Sequence, residues 1–597
     1  MTNESSAVSR RVALAQGLTA PVAIAFAMES QQVFAQTPEA TANGAGEENS
    51  IWSKRVSVVA TSYGKVRGVV SGSIHSFKGI RYAKAPLGAL RFKAPIPPDR
   101  WTGIFDATNY GPASPQVPLP TKSTVEYART KSYVAENAKF MGIPAMVPDQ
   151  SEDCLALNVW TPGTDSSKRP VMFRIHGGGY SQGSGGWSWH DGTNLARRGD
   201  VVVVTVNHRL TALGYLYLGK AMGDEYTTAN PGMMDLVEAL KWVRDNIASF
   251  GGDPNNVTIF GESGGGMKVG TLLCMPAASG LFHRAIMQSG AGLKVSPLDD
   301  AIALTDKFLA KAGISPGDIK ALQEISVDAI FDAMDAADLG PGPMPCVDGK
   351  TIPRHPVESL ASGMSAEIPL IIGATLHEWT SYHSLFHGEL PKIMSLTKAE
   401  VTTAVAAVYG KQANYLMGAY AKAFPKASPG ELFLMIEAGG SMRRRCREYA
   451  EAKVTNGRAP VFAYSMNWES GALDGMLRAA HGLCVPLTMD NVEHTGSWTA
   501  DFPESTIVAA AMSEAWIAFA RTGNPSADGY TPWEPYDLKA RKTMLFNTSS
   551  VLRSDPYREY DIWKKVPEAA SRGILPVPGM TYDPDAETTK MLRPVTL

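Results

Sequence analysis

Cysteine is scarce, with five in 597 residues. That is too few for a disulfide scaffold, and no CxxC or Cys/His pair has the spacing of zinc ligands. Charge of one sign is missing too. Lys and Arg total 56 against 58 Asp and Glu, for a formal charge of −2, so the basic excess that drives electrostatic binding of nucleic acid is absent. Apolar residues make up 44% of the chain, which with so small a net charge excludes intrinsic disorder. Beyond the N-terminus no run is long and apolar enough to cross a membrane, and no repeat of solenoid or propeller period occurs. Glycine (56) and proline (40) are plentiful, which points to many turns and long loops rather than to coiled coil. At about 150 residues per domain the prior is roughly four domains, although large α/β enzymes exceed that average. A large soluble globular protein is what remains.

Residues 1–35 read as a removable export signal. Ser9-Arg10-Arg11 precedes a mildly apolar run from Val12 to Met28 that Gln16, Gly17 and Pro21 interrupt. Paired arginines before such a run match the twin-arginine type of bacterial signal. Val33-Phe34-Ala35 supplies small enough residues for cleavage before Gln36. The run is roughly 17 residues with polar breaks, short of the roughly 20 that span a bilayer. Residues 36–50 read as a disordered linker. The expected location is therefore periplasmic or secreted, with no stable membrane insertion after cleavage.

From Val56 onward, β-branched runs alternate with helix-like stretches. Val171 to Ile175 is a compact apolar run ending in His176-Gly177-Gly178-Gly179. Val201 to Val206 has no polar side chain except Thr205, as suits a strand buried on both faces of a parallel sheet. Met233 to Ile247 carries Leu236, Leu240, Val243 and Ile247 at helical spacing. Val257 to Phe260 is a strand feeding directly into Gly261-Glu262-Ser263-Gly264-Gly265. Ile368 to Gly373 and Val461 to Tyr464 read as later strands of the same sheet. Strand, helix, strand in this order implies an α/β fold with a mostly parallel sheet. Pro115 to Gln150 reads as a long loop, and Ala301 to Leu339 and Lys392 to Gly440 as helices capping the sheet.

Gly261-x-Ser263-x-Gly265 after a strand is a nucleophile-elbow pattern, in which flanking glycines allow a sharp turn that raises the serine hydroxyl at the start of a helix. A phosphate-binding loop is excluded because position 267, where it needs lysine, is Met267. Three glycines after His176 free backbone N–H groups to hold a developing oxyanion, together with the N–H of Gly264. Either pattern alone also fits an ordinary glycine loop; both together, two strands apart, point to an ester hydrolase. A serine nucleophile needs a base and the base an orienting acid. With the order serine, acid, histidine, His283, His355, His377, His383, His387, His481 and His494 all qualify, and spacing does not choose among them.

From about Val56 to Trp563 the chain resembles the type-B carboxylesterases, the family that includes cholinesterases and bacterial para-nitrobenzyl esterases. Three stretches carry the resemblance: Phe250-Gly251-Gly252-Asp253-Pro254 through Ser263; Glu152-Asp153-Cys154-Leu155-Ala156-Leu157-Asn158-Val159; and Phe77-Lys78-Gly79-Ile80-Arg81-Tyr82-Ala83 with Gly88 to Phe92. The resemblance implies an α/β-hydrolase fold, with helices on both faces of a mostly parallel sheet, as a single domain over residues 51–597. It implies Ser263 as nucleophile, Glu378 as acid, His481 as base, and Gly178, Gly179 and Gly264 as oxyanion donors. Glu262 and Ser289 would support them, and Arg91–Glu152 and Arg209–Asp235 would be buried ion pairs. Departures are also visible. The family often pairs the position of Cys154 with an earlier cysteine, which here is Ser114; Cys484 stands where the family often has Glu; and Gly264 replaces the commoner Ala, which would loosen the elbow. The other four cysteines, Cys274, Cys346, Cys446 and Cys484, are expected as buried small hydrophobes.

The expected reaction is acyl transfer on a small-molecule ester, with no metal or organic cofactor required. Tyr180, Trp187, Trp189, Trp379, Tyr382 and Phe386 lie near the glycine loop or the acid in sequence. They suggest a pocket for an aromatic or bulky apolar ester, with Tyr180, Trp187 and Trp379 foremost, though each also fits the core. An amidase or carbamate hydrolase on the same residues, or a non-catalytic binding protein, are the alternatives. Nucleic acid is not an expected partner, and the sequence does not indicate an oligomeric state.

Overall fold

A computed structural model describes residues 55–116, 149–226, 230–292, 295–339, 342–385, 389–567 and 575–579, all within the unit Lys54–Leu597. The signal and linker expected over 1–50, most of the loop expected over 115–150, and Phe386 and His387 lie outside the described residues.

One sheet organises the chain. Its strands are β1 (Arg55–Ala60), β2 (Lys65–Ser71), β3 (Ile74–Arg81), β4 (Ile104–Asp106), β5 (Ala156–Thr161), β6 (Arg169–Ile175) and β7 (Val202–Val206). After these come β8 (Gly252–Glu262), β9 (Arg284–Gln288), β10 (Leu370–Thr375), β11 (Val461–Met466), β12 (Lys542–Phe546) and β13 (Val551–Ser554). The order is β1-β2-β3-β5-β7-β6-β8-β9-β10-β11-β12-β13, with β4 beside β2. Pairing from β7 through β12 is parallel, and the margins are antiparallel except for β4, which runs parallel to β2.

The all-apolar runs are explained by burial on both faces. Side chains alternate across a strand, so Val202, Val204 and Val206 enter one core and Val203 the other. Val171, Phe173 and Ile175 likewise oppose Met172, and Leu370 and Ile372 oppose Ile371. Helices Pro231–Asn246 and Met442–Asn456 cover the first face, and Cys484–Met489 and Glu504–Thr522 the second. The two helical stretches expected as caps are helical, but each also builds a small core of its own. Phe308, Leu309 and Ile330 meet Leu213 and Leu216 in one. Val405, Leu416, Tyr420 and Phe433 close on Trp563 in the other.

Both anticipated ion pairs are present. Arg91 Nε lies 2.7 Å from Glu152 Oε2, and Arg209 Nη2 lies 2.6 Å from Asp235 Oδ1, with the second pair almost fully buried. Removing one partner of such a pair costs about 3–5 kcal/mol, because the other charge is left uncompensated. All five cysteines are unpaired and buried. Cys154 lies near Ser114, the position where the resemblance implies a cysteine in other members, and the Ser114 hydroxyl accepts from Leu210 N–H at 3.1 Å.

Candidate active site

Four loops leave the carboxyl ends of β6, β8, β10 and β11 and converge, at the edge where open α/β sheets bind ligands. The β8 run ends at Glu262, and Ser263 turns with φ 55° and ψ −124° before the helix Gly264–Leu272 begins. A non-glycine residue at such angles is strained and persists only where its surroundings enforce it. The enforcement is visible. Ser263 N–H donates to Gln288 O at 2.8 Å, a Cβ at 261 would collide with Gly265, and a Cβ at 265 would collide with the carbonyl of Ile175. Both flanking glycines are thus required by close backbone approach.

The loop after β6 takes Gly178 and Gly179 through φ 84° and 61°, which glycine adopts without strain. It runs against the start of the Ser263 helix so closely that a Cβ on Gly264 would overlap the backbone of Gly179. The absence of a side chain at Gly264 therefore makes room for the glycine loop.

Glu378 and His481 are 103 positions apart, and their loops are joined by backbone contacts. His377 N–H donates to Ala479 O at 3.0 Å and His481 N–H to Glu378 O at 3.3 Å. The side chains meet at 2.5 Å, Glu378 Oε2 to His481 Nδ1. The other carboxylate oxygen accepts from Ser289 Oγ at 2.7 Å and Thr375 N–H at 2.6 Å. Burial works against the Glu378 charge, but the His481 ring and these donors outweigh it and hold the carboxyl below its ordinary value. Burial also opposes charge on His481, yet Glu262 and then Glu378 push its imidazole up to about 9. His481 Nε2 faces Glu262 Oε1 at 3.2 Å and accepts or donates no hydrogen bond among the described residues. Among the described residues no hydrogen bond joins His481 Nε2 to Ser263; the Ser263 hydroxyl lies near Tyr382, whose ring is 5.5 Å from that of His481. Hydrogen bonds of this kind are often unformed without substrate and tighten in the complex.

Gly178, Gly179, Ser263, Trp379, Tyr382 and His481 all remain partly exposed, while Glu262, Gly264, Ser289 and Glu378 are buried. The first group forms the accessible face and the second its support. Of the aromatic residues, Tyr382 and Trp379 stand together, 5.1 Å between rings. Trp187 stacks on His190 and meets Trp189 at a tilt. Tyr180 is buried edge-on against Tyr215. His383 links the short helix bearing Tyr382 to Glu389 at 2.8 Å and Glu437 at 2.9 Å. Burial opposes its charge, but the two carboxylates hold it up to about 9.

Among the buried cations not singled out from the sequence, two belong to the elements that carry the glycine loop and Ser263. Arg174 sits within β6 and reaches Gln288 Oε1 at 3.0 Å. Lys268 is fully buried on the Ser263 helix, and burial brings its ammonium down to about 7. A charged residue in the middle of each apolar run was the available signal.

The carboxylesterase family profile matches residues 55–563. The para-nitrobenzyl esterase of Bacillus subtilis is 35% identical over 511 residues, covering 84% of this chain and 97% of that protein. The phenmedipham hydrolase of Pseudarthrobacter oxydans is 34% identical, covering 80% of this chain and 92% of that protein. Among solved structures, a Geobacillus stearothermophilus carboxylesterase superposes with a TM-score of 0.70 at 37% identity, covering 85% of this chain and 99% of its own. An esterase from Clostridium hathewayi does so with 0.70 at 31%, covering 86% and 100%. With its parallel α/β sheet, its serine turn and its glycine loop, this chain belongs to the carboxylesterase family, enzymes that hydrolyse carboxylic esters.

Proposed function

We propose that ester hydrolysis here proceeds through a Ser263–His481–Glu378 relay. The 2.5 Å contact between Glu378 and His481 beside a strained Ser263 carries this reading. The Ser263 hydroxyl donates to His481 Nε2, which takes its proton as Oγ attacks the ester carbonyl. The N–H groups of Gly178, Gly179 and Gly264 hold the oxyanion, and His481 then protonates the departing alcohol. Water, activated by the same imidazole, releases the acid from the acyl-enzyme. Treatment with an organophosphate tests the nucleophile: one phosphoryl adduct on the Ser263 peptide, with loss of activity, is expected. Labelling elsewhere would remove Ser263 from the role.

Glu262 has its own expected signature. His481 must be neutral to accept a proton, and the Glu262 charge is the foremost contributor holding the ring's pKa up. Glu262→Gln is therefore expected to move the acidic limb of the kcat/KM profile to lower pH. An unmoved limb would show that the two groups are not coupled.

The substrate class rests on the partly exposed Tyr382 near Ser263 and Trp379 against its ring, which suit an aromatic or bulky apolar acyl or alcohol group. The name of the Bacillus relative points the same way. Aryl and benzyl esters are expected to show kcat/KM at least tenfold above short aliphatic esters of equal leaving-group acidity. A preference for the aliphatic series would count against it. Residues 1–35 are proposed as a twin-arginine export signal, residues 36–50 as a linker and residues 51–597 as one hydrolase domain. N-terminal sequencing of the secreted or periplasmic protein, expected to start at Gln36, checks the processing.

A further inference from the structure

Lys268 is 0% exposed, and among the described residues no carboxylate pairs with it. An unpaired ammonium is among the costliest groups to bury, so its contacts matter. Nζ donates to Gly179 O at 2.7 Å and to His176 O at 3.4 Å, and it lies 5.5 Å from the centre of the Tyr180 ring. His176 and His208 are the titratable side chains beside it. Burial first, and the lysine charge next, hold both well below the ordinary histidine value. Lys268 is therefore the cation of this nest.

The two carbonyls belong to the peptides 176–177 and 179–180. Between them lie the peptides 177–178 and 178–179, whose N–H groups are the candidate oxyanion donors. Gly178 and Gly179 have no side chains with which to anchor themselves, and both sit at positive φ. One ammonium thus ties down both ends of the span that carries the donors. Gly264 and Lys268 are four apart, on the same face of one helix. The first leaves space for the Gly179 backbone, and the second holds its carbonyl.

We propose that Lys268 is a positioning residue for ester hydrolysis, fixing the Gly177–Gly179 backbone so that its N–H groups meet the oxyanion. This rests on the acyl-transfer reading above. Misplacing groups by about 1 Å can cost on the order of a hundredfold in rate. Lys268→Met, which keeps length without charge or donors, is expected to lower kcat roughly 10- to 100-fold with KM nearly unchanged. Affinity for an aryl trifluoromethyl ketone, which forms a tetrahedral oxyanion on the serine, should fall by the same factor. Affinity for the corresponding unreactive alcohol should stay as it is. The melting temperature should change little, because removal of an unpaired buried charge offsets the loss of the donor to two buried carbonyls. Lys268→Gln, which retains N–H donors, should recover part of the rate and serves also if the methionine variant folds poorly.

A kcat within threefold of the parent, or an equal loss of ketone and alcohol affinity in both variants, overturns the proposal. Ser263→Ala run alongside separates the two ideas. If that variant remains active, the acyl-transfer reading fails; if it is inactive while both lysine variants match the parent, only the role of Lys268 fails.

Discussion

Ser263→Ala is expected to lower turnover of a preferred ester roughly a million-fold, the scale seen when a serine hydrolase loses its nucleophile. Alanine at φ 55° carries the same backbone strain as serine, and its methyl is smaller than the side chain it replaces. The Ser263 N–H bond to Gln288 and the glycine contacts at 261 and 265 do not depend on the hydroxyl. The fold should therefore survive, with a melting temperature close to the parent, and KM should change little. What remains is catalysis by the backbone donors and by orientation of the ester, so the residual rate should still exceed that in water. Burst kinetics with a chromogenic ester read the loss directly, since the acyl-enzyme burst should vanish. A variant that keeps a tenth of the parent rate would mean that the serine turn is not where the covalent bond forms.

Glu378→Gln is expected to lower kcat roughly 10⁴-fold, as does the equivalent change in other triads, for a reason specific to the contacts here. Two donors, Ser289 Oγ and Thr375 N–H, point at the same carboxylate oxygen. The glutamine carbonyl will take that position, because its amide nitrogen there would face donors. The NH₂ then faces His481 Nδ1, which becomes an acceptor and leaves the proton on Nε2. That is the tautomer that cannot accept a proton from Ser263. The loss should thus fall on kcat, with burial and packing nearly preserved. Pre-steady-state acylation rates test it; a variant acylating within tenfold of the parent would mean that Glu378 does not set the ring's tautomer.

Much of the framework was legible in the chain itself. Runs such as Val202 to Val206 can be satisfied only by burial on both faces, so a parallel sheet with helices on either side followed from their composition. The glycines at 261, 265, 178 and 179 were legible because their role is local: a backbone approach or a positive φ that a side chain would forbid. The acid and the base were different. Seven histidines follow Ser263 in order, and spacing could not separate them; only resemblance promoted His481 and Glu378. The backbone contacts joining the loops after β10 and β11 bring them together, and those contacts depend on the sheet order.

Tyr382 and Lys268 show the same division. Tyr382 was one aromatic among six near the glycine loop or the acid, and its neighbours in sequence do not reveal that it lies near Ser263. Lys268 is a lone charge in an otherwise apolar helix start, and nothing local to it reveals which carbonyls it holds. The sequence around Gly264 does not reveal that the space it leaves is filled by the glycine loop 85 residues earlier in the chain.

The sequence alone determined the fold class, the serine turn and the glycine loop, since each depends on periodicity or on steric limits within a few residues. Tertiary structure decided which histidine meets which acid, which aromatic faces the serine and what a buried lysine holds. Those are contacts between loops brought together by parallel strand order, and no local propensity encodes the distance between them.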